Sequence, residues 1–179
     1  MMRVKKRPIL LTLIILLILF VIVFISIPTK SALIFYERNT DTISAYLPIE
    51  SGETFQIIFT HSIHLTDVVE KYIITKDNKI KQYEFIFEEF GIGMPSNAET
   101  DEEFVYEDGK YHIKNMNNIF SSMKIRNGKT VSEHRLVWEK NGIKHQVYFN
   151  NYFEPGDWFT VKIEKISLIE SWKEVKIRD

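Results

Sequence analysis

The 179-residue chain contains no cysteine. Thiolate nucleophiles, disulfide staples and cysteine-ligated metals are thereby excluded, and the folded part must be held by apolar burial and sheet hydrogen bonds. Glycine and proline are scarce, at 7 and 5 residues, so the few turns they mark stand out. Acidic residues are missing from residues 1–30, which hold Arg3, Lys5, Lys6, Arg7 and Lys30. The rest of the chain therefore carries 18 basic against 24 acidic side chains, a net of about −6 hidden within a summed charge of −1. That balance disfavours a phosphate-binding surface, and nucleic acid with it, and favours a neutral or cationic partner. There is no internal repeat and no long amphipathic helix.

One long apolar run is present. Ile9–Ile27 reads ILLTLIILLILFVIVFISI, with only Thr12 and Ser26 carrying a polar atom. As a helix it spans roughly 28 Å, about the thickness of the hydrocarbon core of a bilayer. Basic residues crowd ahead of it and only Lys30 follows closely, which puts the amino terminus in the cytoplasm and the carboxyl-terminal domain outside. A cleaved signal peptide is the competitor, but its apolar region is normally about 7–15 residues followed by a small-x-small site, and Pro28-Thr29-Lys30-Ser31-Ala32 matches that poorly. The expected organisation is a cytoplasmic basic segment over 1–8, a transmembrane helix over 9–27 and an extracytoplasmic domain over 28–179. The lipid bilayer is the first partner.

Beyond Pro28 the chain turns to short β-type runs. Strands are expected at Ala32–Tyr36, Ile43–Ile49, Thr54–Thr60, Val68–Thr75, Ile80–Phe90, Phe104–Tyr106, Tyr111–Ile113, Met123–Arg126, His134–Glu139, Ile143–Phe149 and Trp158–Ile163, because β-branched and aromatic residues alternate with polar ones between turn residues. Pro48 suits an edge or a strand end. In Thr54–Thr60, Phe55, Ile57 and Phe59 share a face; in the fifth run Tyr83, Phe85 and Phe87 do. Asp108-Gly109 and Asn141-Gly142 predict two-residue hairpin turns, and Asn127-Gly128 repeats the signal. Lys114–Ser122 reads as a loop from its asparagines, Ser96–Glu103 as a solvated acidic loop, and Ile166–Val175 as a last strand or tail. About ten short antiparallel strands imply an all-β sandwich or partly closed barrel.

Possible chemistry concentrates in Thr60–Pro95. His61, His64, Asp67 and Glu70 would align on a helix, but an alternating strand runs into His61 and another starts near Val68, so Ser62–Asp67 is a connection between strands, with His64 and Asp67 on the loop. His61 then falls opposite Glu70 or Tyr72, and a His61…Glu70 pair would fix the imidazole tautomer and raise its basicity. Structural hydrogen bonding, ligand binding and catalysis or metal binding are all open to His61. Ser62 adjoins His61 but points to the other face, so the two do not form a nucleophile–base pair. No nucleophile elbow, zinc-protease helix or phosphate-binding loop is present. His112, His134 and His145 lie in separate strands without metal-site spacing. Gly91 and Gly93 permit positive φ or a close backbone approach, and Pro95 fixes the exit of the turn; a structural turn and a ligand contact are both open. Cofactor and metal stay unassigned.

Phe59-Thr60-His61-Ser62, then Val69-Glu70-Lys71-Tyr72, then Gly91-Ile92-Gly93-Met94-Pro95 occur in an order that resembles the DUF1850 family, as does Gly156-Asp157 ahead of the late strand. The resemblance covers most of residues 32–165. It departs at His64-Leu65-Thr66-Asp67, where a charged pair is commoner. The family's biochemical function is uncharacterised, and its members are often encoded beside TRAP-type transporters with TAXI-class solute receptors. The resemblance thus implies an extracytoplasmic accessory role in uptake, with such a transporter or its receptor as partner, and marks His61, Ser62, Glu70, Gly91, Gly93 and Pro95. The alternatives are a hydrolytic or metal-dependent enzyme centred on His61 and Glu70, and a purely structural envelope domain.

Overall fold

The computed structural model describes residues 6–91, 93–99 and 101–179. The basic residues Arg3 and Lys5, and Ile92 of the glycine turn, lie outside the described residues, as does most of the expected segment 1–8. Helix α1 runs Lys6–Ser26. Among the described residues no part of its apolar window Ile9–Ser26 is buried, so most of this hydrocarbon surface, about 27 Å long, stays uncovered, and it is long enough to cross a bilayer.

Eleven strands follow: β1 Lys30–Glu37, β2 Ile43–Pro48, β3 Thr54–Thr60, β4 Asp67–Ile74, β5 Ile80–Phe87, β6 Glu103–Glu107, β7 Lys110–Phe120, β8 Met123–Arg126, β9 Arg135–Lys140, β10 Ile143–Tyr148 and β11 Trp158–Ile166. They form two antiparallel sheets that do not close, of four strands in the order β2-β1-β11-β8 and seven in the order β10-β9-β3-β4-β5-β7-β6. Pro48 ends β2, an edge strand, where its missing N–H costs no ladder bond. The fold is the expected β-sandwich.

The main core lies between the sheets. Leu33 and Phe35 of β1 and Val161 of β11 face Phe55 and Ile57 of β3, Tyr72 of β4 and Leu136 of β9, with Phe149 and Phe153 closing one side. Full burial of a side chain of this size stabilises by roughly 1.5–3 kcal/mol. Ile80 of β5 and Phe120 of β7 still pack on this core, but the rest of the β5-β7-β6 wing does not. There Phe85, Phe87 and Ile113 form a second cluster, against which Met94 and Ala98 of the 88–102 segment pack.

Several expectations are corrected. The fifth run stops at Phe87, not Phe90, and Tyr83 is an extra residue in it, since Tyr72 pairs with Gln82 and Lys71 with Glu84. This bulge puts Gln82, not Tyr83, on the face of Phe85 and Phe87. Lys114–Phe120 is strand rather than loop; it accommodates a register shift through Asn115, whose φ of 60° asparagine tolerates better than most residues. Asp67 opens β4 instead of lying on the loop. The terminal segment is a helix, α2 Leu168–Lys173, started by Ser167 and Glu170 in a reciprocal capping box. That Ser-x-x-Glu signal was readable in the sequence. Two predicted hairpins hold: Asp108-Gly109 and Asn141-Gly142 are two-residue turns with both φ values positive. Asn127-Gly128 is not one, because β8 pairs with β11 and Asn127 is 1% exposed.

Candidate functional site

A cavity of about 1000 Å³ opens between the inner face of the large sheet and β8 at the edge of the small one. In β4 the alternation Val68, Glu70, Tyr72, Ile74 is set toward the interior. Three of these are buried apolar or aromatic residues, and the fourth is a carboxylate. Register places Glu70 between Ile57 of β3 and Phe85 of β5. Its only hydrogen-bond partner among the described residues is the Tyr72 hydroxyl, which donates to Oε2 at 2.9 Å. Loss of water around the carboxyl pushes its pKa up, and the tyrosine bond opposes this only in part. Burial and the adjacent carboxylate hold the Tyr72 phenol protonated to well above its ordinary range.

The opposite wall is β8, which turns Met123 and Ile125 inward; Lys124 and Arg126 border the cavity from the exposed face of that strand, Arg126 over the Trp158 ring, and Lys129 of the following loop lies at the rim. That loop is held by Asn127, whose Nδ2 donates to Asn150 Oδ1 at 2.8 Å and to the carbonyls of Phe153 and Glu154. Gly128 is required by a close approach: a Cβ there would meet Ser132 Oγ at 1.9 Å. His134 closes this side, its ring 5.5 Å from that of Phe59 and 5.6 Å from that of Phe149. Burial, aided by the charge of Arg135, lowers its pKa to about 4. The ring is therefore neutral near pH 7, with Nδ1 accepting the Gly128 N–H at 3.3 Å.

His61, Ser62 and Glu70 line this one cavity, as the sequence motif brought them together. The expected cross-strand pair is nevertheless corrected. In the β3–β4 ladder Glu70 faces Ile57, whereas the His61 N–H donates to the Thr66 carbonyl, four positions further along. That offset is about 13 Å of strand. The connection Ser62–Thr66 folds back on itself, with the Leu65 N–H donating to His61 O at 2.9 Å, so the ladder closes tightly and Glu70 is carried past His61. His61 Nδ1 accepts the N–H groups of Ile63 and His64 at 3.4 Å each, which leaves the proton of the neutral ring on Nε2. Its ring stacks on that of His64 at 5.1 Å, and His64 Nδ1 lies 2.9 Å from Glu89. Asp67 belongs to a different contact, an ion pair with Arg135 supported by the Thr60 hydroxyl.

The glycine turn lies behind the histidines. A Cβ on Gly91 would fall 2.5 Å from His64 Nε2, so any larger residue here would have to displace that ring. Gly93 is needed for conformation, with φ of 89°. Neither glycine nor Pro95 lines the cavity. The turn supports the histidine pair.

His134, Lys124, Arg126, Lys129 and Gln82 were not singled out from the sequence. No local spacing marks them, since they meet only because β8 crosses over the large sheet. Among the described residues no three His, Asp or Glu side chains converge as a metal site, and Ser62 is exposed. What the arrangement offers is a cleft of mixed apolar and polar lining, with a protonatable acid and a phenol on the wall formed by the large sheet and Lys129 at its rim.

Residues 55–144 match the family model for a domain of unknown function, DUF1850. No curated protein and no solved structure matches the chain. The match runs from β3 into β10, takes in half of the sequence and carries β4, which supplies Glu70 and Tyr72, and His61 just past β3; the chain belongs to the DUF1850 family.

Proposed function

We propose that this protein is a membrane-anchored extracytoplasmic binding module, whose cavity between the sheets takes a small polar solute in support of a TRAP-type uptake system. The observation that carries it is Glu70. A carboxylate at a core position of an inward face, with no ion-pair partner and only Tyr72 as donor among the described residues, costs stability, and a purely structural envelope domain would have no use for it. A solute bearing a donor or cationic group fits Glu70, and an anionic end would reach Lys129 at the rim. Hydrolysis centred on His61 and Glu70 is the weaker alternative, because the ladder offsets them by four residues. Anchoring through α1, with the amino terminus inside, follows from Arg3, Lys5, Lys6 and Arg7 ahead of the apolar span.

The test is thermal unfolding of the full-length protein in detergent against a panel of small carboxylates, amines and amino acids. A saturable rise in midpoint in the wild type, lost in Glu70→Gln and reduced in Lys129→Gln, is expected. Equal rises in wild type and both variants would place binding elsewhere. Growth on the transported solute should fall in a Glu70→Gln strain whose protein is present at normal levels; unimpaired growth would remove the uptake role. Intact mass of the membrane-extracted protein decides between an uncleaved anchor and a processed signal.

A further inference from the structure

A second cavity, of about 280 Å³, lies at the other side of the small sheet, where α1 enters the domain. Lys30 of β1, Lys176 and Arg178 of the carboxyl-terminal tail line it together with Tyr46 of β2 and Trp172 of α2. Three cations thus meet at a site that no carboxylate lines among the described residues, although the domain as a whole is acidic. The tail is pinned there: the Tyr46 N–H donates to the Val175 carbonyl, the Ile177 N–H donates to the Tyr46 carbonyl, both at 2.9 Å, and the Tyr46 hydroxyl donates to the Ser171 carbonyl at 2.8 Å. The Tyr152 hydroxyl also accepts the Arg178 N–H at 2.8 Å. Lys176 and Arg178 are therefore presented by ordered backbone.

Position relative to the bilayer gives the cluster its meaning. Lys30 is four residues past Ser26, the end of α1, a reach of at most about 14 Å. The Thr29 N–H donates to the Ile166 carbonyl, which ties that short link to the end of β11, and α2 starting two residues later contacts α1. Trp172 is 72% exposed and Val175 53% exposed on the same side. Tryptophan at headgroup depth, beside basic residues, is the usual composition of a membrane interface.

We propose that this pocket binds the phosphate-bearing headgroup of an anionic phospholipid, seating the domain on the outer leaflet and fixing its orientation relative to α1. Its volume suits a headgroup and not acyl chains, which would run back along α1. The proposal rests on the anchoring through α1 proposed above and is independent of the ligand of the large cavity.

The experiment uses the full-length chain in nonionic detergent, titrated calorimetrically with soluble dihexanoyl phosphatidylglycerol, dihexanoyl phosphatidylcholine and inorganic phosphate. Saturable 1:1 binding of the phosphatidylglycerol is expected, weakened about 25-fold in the Lys176→Gln/Arg178→Gln double variant, each cation near an anionic headgroup contributing roughly a factor of five. Phosphatidylcholine and inorganic phosphate should each bind at least about tenfold more weakly. Equal affinity in wild type and double variant, or phosphatidylcholine as tight as phosphatidylglycerol, overturns the proposal; inorganic phosphate as tight as the lipid makes this a free-anion site and overturns the headgroup assignment. If the double variant unfolds at a lower temperature than the wild type, the exposed Lys30→Gln variant takes its place, with about a fivefold loss expected and no loss overturning the proposal. Alkaline extraction of membranes reads the anchor separately: release of the chain would sink the anchoring while leaving the headgroup titration interpretable.

Discussion

Two glutamates on neighbouring strands show how differently the two faces of the large sheet are used. Glu84 of β5 points outward, where Lys71 Nζ lies 2.7 Å from Oε2 and His112 Nδ1 2.8 Å from Oε1. Burial alone would raise its pKa, but these two partners outweigh it and hold the carboxyl below its ordinary value. Glu70 of β4, next in sequence to Lys71, points inward, has only the Tyr72 hydroxyl among the described residues, and is pushed up by burial. The outer carboxylate completes a ladder of charges that extends through Glu107 to Lys114. The inner one is left with unused hydrogen-bonding capacity facing a cavity. The same residue type is tied into ion pairs on one face and left with a single neutral donor among the described residues on the other, because its neighbours differ in the charge they supply.

The largest effect tests whether the inner face away from the cavity is ordinary core. Leu136, 1% exposed and opposite Ile57, should cost about 3–5 kcal/mol on truncation in Leu136→Ala, measured by urea unfolding; a loss below about 1 kcal/mol would mean the core continues the cavity's looseness. Next comes the direct contrast. Glu84→Gln at pH 7 should lose about 1–2 kcal/mol, since Lys71 and His112 keep only a neutral acceptor, while Glu70→Gln should lose nothing or gain. Equal losses in the two variants would erase the distinction drawn between the faces.

Gly93→Ala should cost about 1 kcal/mol from its positive φ, loosening the segment that covers the β5-β7-β6 wing, and proton exchange at Met94 should rise with it. Unchanged exchange would show that this cover is not held by the turn. The smallest effect is a pH dependence with opposed signs. Glu70, whose folded pKa is raised, contributes stability that is full below about 4.5 and is lost as pH rises through the folded value. His134, lowered to about 4 from 6.5, contributes stability that is full above 6.5 and is lost as pH falls toward 4. Unfolding midpoints across pH 4–8 should therefore show Glu70→Gln gaining on the wild type toward the alkaline end and His134→Gln flattening the acid decline. Parallel curves for wild type and Glu70→Gln would place Glu70 in water.

Much of this molecule was legible before any fold was known. The apolar span, the strand at Thr54–Thr60 and the Asp108-Gly109 and Asn141-Gly142 turns rest on chain composition and backbone preference within a few residues. The failures share the opposite property. Asn127-Gly128 looks like a hairpin turn, but its backbone is committed to Gly156 and Asp157, about thirty positions away. Lys114–Phe120 looks like a loop, but β5 supplies a ladder that overrides asparagine's weak strand preference.

The motif residues His61, Ser62 and Glu70 were chosen from the sequence, and so was the family; their relation to each other was not. Alternation along β4 already required Glu70 to share a face with Val68, Tyr72 and Ile74, and that much is local geometry with period two. Which residue Glu70 faces depends on how many residues the turn after His61 consumes, and whether it has a cation partner depends on which strand crosses above it. Register and sheet packing are set by contacts distant in sequence. They turned an expected His61…Glu70 pair into a histidine pair packed against Gly91, with His61 lining the cavity, and an acid that takes its hydrogen bond from Tyr72 instead.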